Sequence, residues 1–157
     1  MAQVTGCVKI NVDGGLSRSG ERGAVSAVCR DGMSKFMGAS AVVVDGLVDS
    51  ETLQAVGCSE ALSLAFDLNI SSVQVATDCL QVVRNIREQN PCKYSTIIHE
   101  FNAKKNKFQI VELGHEMRVY NMEAHALVKA STSLESGRHL WLTSPPPIIC
   151  IPVDILQ

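Results

Sequence analysis

The chain has 157 residues, 46% of them apolar and 19% charged, with a formal net charge of −2. This composition suits one packed domain and excludes a disordered chain, and no apolar run reaches the roughly 20 residues of a membrane span. The slight acidity also excludes proteins that coat nucleic acid through a strong basic excess.

Val8, Ile10 and Val12 alternate with Lys9, Asn11 and Asp13, which predicts a two-faced strand over Cys7–Asp13. Gly14 to Gly20 reads as a turn, and two β-rich runs follow, Gly23–Arg30 and Lys35–Val44, separated by the hairpin signal Asp31-Gly32. A long helix is predicted from Ser50 to Leu68, with Leu53, Val56, Leu64 and Leu68 apolar. Ser72–Thr77 is a short strand, Asp78–Glu88 a short helix, and Tyr94 to about Lys105 a third helix. A strand at Phe108–Leu113 and a last helix from Asn121 to near Glu135 complete the pattern. The tail from Gly137, with Pro145-Pro146-Pro147, cannot continue a helix or form a central strand. The order βββ-α-β-α-α-β-α implies an α/β fold with a mixed sheet and helices on its faces.

Cys7, Cys29, Cys58, Cys79, Cys92 and Cys150 are scattered, with no C-x-x-C pair and no histidine at zinc spacing. They read as buried hydrophobes in a reducing compartment. The start, Met-Ala-Gln-Val-Thr, lacks the features of a secretory signal. A cytoplasmic or nuclear location is the expectation. Lys104, Lys105 and Lys107 form the one basic cluster, readable as solvated surface or as a handle for nucleic acid.

Three acidic residues stand out. Glu60 lies within ~20° of Leu53 and ~40° of Leu64 around the first helix, inside an apolar stripe. A charge there needs a cationic partner or a metal, unless the helix rolls enough to let it reach water. Asp13 ends the first strand and Asp78 the fourth. Each has a structural reading, Asp13 as a turn former and Asp78 as an N-cap boxed with Gln81. Together, two strand ends and an inward glutamate could gather three carboxylates, which Mg²⁺ or Mn²⁺ would hold.

The segments Lys9-Ile10-Asn11-Val12-Asp13-Gly14, Cys29-Arg30-Asp31-Gly32, Ser59-Glu60-Ala61-Leu62-Ser63-Leu64-Ala65 and Asp78-Cys79-Leu80-Gln81-Val82-Val83 occur in that order. His115-x-x-Arg118-x-x-Asn121-x-x-Ala124-His125-x-Leu127 follows them, then Trp141 and the proline run. This ordered set resembles the plant reverse transcriptase-like ribonuclease H domains. The resemblance covers Val8 to about Pro147 and implies a ribonuclease H-like domain over 1–140 with a Pro-rich tail over 141–157. It implies a five-stranded mixed sheet, three antiparallel strands and then two parallel ones, flanked by helices.

The implied activity is endonucleolytic cleavage of the RNA strand of RNA–DNA hybrids, using two Mg²⁺ or Mn²⁺ ions. The resemblance places the metal ligands and catalytic residues on Asp13, Glu60, Asp78 and His125. Ribonucleases H of the familiar kind carry aspartate at the position of His125, and losing that charge implies weaker binding of the second metal. His125 alone also reads as a flank residue of the last helix, and Asn121 as its cap. Gly14, Arg18, Lys104, Lys105, Arg118 and Asn121 are the substrate-binding candidates. The expected partner is an RNA–DNA hybrid, with no membrane and with the oligomeric state open. The alternative is a weakly active or inactive domesticated domain that binds nucleic acid or protein, favoured by His125 and the sparse basic surface. The apolar tail Ile148–Leu156 packs on the domain or on a partner in either case.

Overall fold

A computed structural model describes residues 1, 4–46 and 48–148. β1 (Val8–Leu16), β2 (Arg22–Arg30) and β3 (Phe36–Asp45) form an antiparallel meander. The β2–β3 connection is Asp31–Lys35, and its left-handed residue is Ser34 (φ 64°), not Gly32. Asp31 shapes that turn, its Oδ1 accepting from the N–H groups of Met33 and Lys35 at 2.8 and 2.9 Å.

Helix α1 (Ser50–Asp67) starts at Asp49, whose carboxylate accepts from the Thr52 N–H at 2.9 Å. The chain continues through β4 (Ser72–Thr77), α2 (Leu80–Glu88), α3 (Ser95–Lys105), β5 (Ile110–His115) and α4 (Met122–Ser131). A 3₁₀ turn at Arg118–Tyr120 precedes α4. The sheet order is β5-β4-β1-β2-β3 with one strand more at the far edge, β6 (Gly137–Trp141), antiparallel to β3. The strands β1, β4 and β5 are mutually parallel.

β6 corrects the expected count from five strands to six. Its short run Arg-His-Leu-Trp lacks clean alternation, and it is recruited by the open edge of β3. The prolines lie after it, as an edge strand requires. β1 also runs further than expected, because Gly14 and Gly15 continue the ladder opposite Val25 and Ala24 instead of turning. Asp13 is therefore inside a strand and not in a turn.

α1, α2 and α3 cover one face of the sheet over a core that includes Ile10, Val12, Leu62, Leu64, Val75 and Phe101. α4 covers the other face, where Leu127 meets Val28 and Ala39 while Val128 meets Ala24 and Val43. Successive residues of a strand point to opposite faces, so Val12 packs under α1 while Asn11 and Asp13 look toward α4. Cys7, Cys29, Cys58, Cys79 and Cys92 form no disulfide among the described residues, and Cys150 lies outside them. Burial pushes the Cys29 and Cys58 thiols up to about 12. No helix among the described residues is long and apolar enough to cross a membrane.

Candidate functional site

β1 and β4 pair in parallel as far as Val12 and Thr77, so Asp78 leaves the sheet beside Asp13, where β1 continues paired to β2 alone. The site is built at this point, where β4 ends against its parallel neighbour. Asp13 is buried, 3% exposed. Its Oδ1 accepts from the Gln54 side-chain amide at 2.6 Å, and its Oδ2 lies 2.9 Å from His125 Nδ1. A carboxylate only accepts, so that ring nitrogen carries the proton.

Gln54 comes from α1, and two glycines explain how. A Cβ on Gly14 would lie 2.6–2.8 Å from backbone atoms of Leu53 and Gln54, and one on Gly57 3.2 Å from the Asp13 carbonyl. Helix and strand thus touch backbone to backbone, which brings the Gln54 side chain directly onto Asp13. The amide orientation is fixed, because Nε2 also donates to the Gly14 carbonyl (3.0 Å) while Oε1 accepts from the Thr77 hydroxyl (3.3 Å).

Glu60 is not in this cluster. It is six residues beyond Gln54, hence rotated by about 120° around the helix and displaced by about 9 Å along it. Its carboxylate, 7% exposed, accepts from Ser40 Oγ at 2.7 Å and from Arg138 Nε at 2.9 Å. Arg138 also reaches Asp67 at 2.7 Å. The cation that the buried charge demanded comes from β6, three strand spacings from β1 across β2 and β3. The expected gathering of Glu60 with Asp13 is not what the structure places together: the position against Asp13 holds the Gln54 amide.

Asp78 does not cap α2. The cap position is Cys79, whose N–H donates to Thr77 Oγ1 at 3.2 Å. One Asp78 oxygen, Oδ2, is shielded from solvent and has no hydrogen-bond partner among the described residues. Burial pushes the Asp78 carboxyl above its ordinary value of 3.8 and the Asp13 charge adds to this, while Arg118, Asn121 and His125 oppose it.

His125 sits in the first turn of α4, and three hydrogen bonds fix that end of the helix over β1 and β2. The Asn121 side chain donates to the Val12 carbonyl (2.9 Å) and accepts from Asn11 (2.9 Å), and Ser26 donates to the Ala124 carbonyl (2.7 Å). Asn121 makes no side-chain cap. The Arg118 guanidinium lies 3.1 Å from both ring nitrogens of His125, so it lies across the ring. Asp13, Gly14, Gln54, Arg118, His125 and Lys129 line a cleft of about 310 Å³.

The remaining candidates separate. Arg18 is exposed in the turn after β1. Lys104 is tied to Ser59, Ser63 and Glu100 and lines a groove with Glu60 and Arg138 instead of the cleft. Lys105 borders another groove with Arg87 and Glu112. Gln54 and Lys129 are among the cleft residues that sequence reasoning passed over. A signal for Gln54 existed: it stands one turn before Gly57, a small residue that marks close approach of helix and strand.

No curated protein matches this chain in sequence. Solved structures resemble it in fold. Ribonuclease H1 of the halophilic archaeon Halobacterium salinarum superposes with a TM-score of 0.71 at 15% identity, covering 80% of this chain and 96% of that one. The N-terminal ribonuclease H domain of a Mycobacterium tuberculosis protein gives 0.70 at 17% identity, covering 80% and 91%. A ribonuclease H1 isolated from compost, in complex with an RNA/DNA hybrid, gives 0.65 at 18%, covering 82% and 99%. Residues 11–131 match the family model described as reverse transcriptase-like, a span running from β1 to the end of α4. With the ribonuclease H fold and more than half of its length matched, this chain belongs to the reverse transcriptase-like family.

Proposed function

We propose that this chain is a ribonuclease H-type domain that takes RNA–DNA hybrids into the Asp13–His125 cleft and cleaves the RNA strand only weakly. The observation that carries this reading is the Gln54 amide bonded to Asp13. Support for the hybrid comes from the family and from a fold relative that holds one. Lys129 and Arg118 line the cleft and supply positive charge for a phosphate backbone.

The donor set fits one divalent cation and not two. Asp13 on β1 and Asp78 just past the end of neighbouring β4, with the Asp78 oxygen lacking a partner among the described residues, suit one Mg²⁺ or Mn²⁺ completed by water and a substrate phosphate. A second ion has no carboxylate left to hold it, since Gln54 is neutral and Glu60 is neutralised by Arg138. Arg118 and His125 further reduce the negative charge of the site. Among the described residues no group of three or more His, Cys, Asp or Glu side chains is placed to hold a metal. A single bound ion would supply Lewis-acid polarisation of the phosphate. Asp13 then serves as its principal ligand, and His125 keeps Asp13 oriented.

The test is binding and cleavage of a labelled RNA–DNA hybrid with Mn²⁺ and then Mg²⁺, comparing wild type with Asp13→Asn. Hybrid binding with slow, metal-dependent cutting that the variant abolishes is expected. Absence of hybrid binding would sink the reading, and so would fast cleavage that survives Asp13→Asn.

A further inference from the structure

The segment between β5 and α4 exposes four large apolar side chains within six residues. Met117, Val119, Tyr120 and Met122 are 53 to 69% exposed. Single exposed hydrophobes are ordinary, but a contiguous group points to an interaction surface.

This segment is anchored at both ends. Buried Glu116 binds Lys9 and the terminal amine, and its N–H donates to the Thr77 carbonyl at 2.8 Å. Buried Asn121 is fastened to Val12 and Asn11. Between them the Tyr120 N–H donates to the Met117 carbonyl and the Asn121 N–H to the Arg118 carbonyl, both at 2.9 Å. The apolar side chains are thus carried on a preordered turn, and binding does not have to order the backbone.

The turn is also continuous with the cleft. Arg118 lies across His125, while its neighbours Val119 and Tyr120 face water. Of the acids flanking the turn, Glu116 is matched by Lys9 and Glu123 by Arg30 at 2.7 Å, while Asp78 faces Arg118 from the cleft side. A rigid aromatic and thioether surface beside an arginine suits stacked bases with a phosphate alongside, and such stacking is tolerant of sequence.

We propose that this turn receives unpaired bases of a strand leaving the cleft, so that the preferred ligand is a hybrid carrying a single-stranded extension. The inference rests on the hybrid reading above. It commits to single-stranded nucleic acid, and a protein partner is an outcome of the test.

The experiment is fluorescence anisotropy with Ca²⁺ in place of Mg²⁺ or Mn²⁺, using a blunt RNA–DNA hybrid and the same hybrid with a single-stranded tail at each strand end in turn. One tailed form is expected to bind about tenfold more tightly than the blunt one. Tyr120→Ala should remove that difference and leave blunt binding unchanged, while Tyr120→Trp should keep it. Blunt binding with no tail preference at any end overturns this inference alone, leaving a protein as the occupant. Equal loss of blunt and tailed affinity in Tyr120→Ala also overturns it, placing Tyr120 under the duplex. Absence of binding by every probe overturns the hybrid reading and this inference with it.

Discussion

Replacing Gln54 with glutamate tests the centre of the site. The change is nearly isosteric, but it removes the donor that holds Asp13 at 2.6 Å and the Gly14 carbonyl at 3.0 Å. A hydrogen bond to a charged group contributes about 1.5–3 kcal/mol, and here it is exchanged for two facing carboxylates. Repulsion is capped, because the new side chain can take up a proton instead. From an ordinary pKa of about 4.3, that costs about 3.7 kcal/mol at pH 7. A loss of about 3 kcal/mol follows, which at this length lowers the melting temperature by about 6–12 °C. A divalent cation reverses the sign of the interaction: at a hundred times its dissociation constant it returns about 2.7 kcal/mol. Thermal unfolding with and without Mn²⁺, on wild type and Gln54→Glu, measures both effects. The variant should be the less stable without metal and the more strongly stabilised by it, and its hybrid cleavage should rise above wild type. A variant as stable as wild type without metal, with an equal Mn²⁺ response, would refute this account of the site.

Asp78→Asn is expected to stabilise the metal-free protein at pH 7. Because burial and Asp13 raise the folded-state pKa of Asp78, its ionisation lowers stability as pH rises from 3.8 through that folded value. The gain should be present at neutral pH and vanish near pH 3 in denaturant titrations. Arg138→Met leaves the buried Glu60 carboxylate without its cation and should cost about 2–3 kcal/mol, while Glu60→Gln should leave the Mn²⁺ response of wild type intact. A Glu60→Gln protein that loses its metal response would return Glu60 to the site. Gly14→Ala places a Cβ 2.6 Å from the Leu53 backbone, where no side chain can yield, and should lower stability by more than about 3 kcal/mol. Chemical denaturation checks it, and a loss under 1 kcal/mol would show that α1 shifts away freely.

Local patterns located β1 to β5 and the four helices: β1 alternates at 2 residues, while β2 and β4, buried on both faces, read as short β-rich runs bounded by turn signals. Chain order also made β4 and β5 crossover strands, and the parallel pairing of β4 with β1 sets Asp78 beside Asp13. Three features needed the tertiary structure. β6 is specified by the unpaired edge of β3, and no local pattern announces it. The glycines after Asp13 look like a turn to any local rule, yet they extend the strand opposite Val25 and Ala24, and at Gly14 α1 comes too close for a side chain. Inward-facing position on α1 gives an angle but no level along the axis. Glu60 and Gln54 are both buried, yet only backbone contact at Gly14 and Gly57 decides that the amide, and not the carboxylate, meets Asp13. A sequence fixes which residues turn inward, whereas the height at which a helix crosses a strand is set by packing between distant segments.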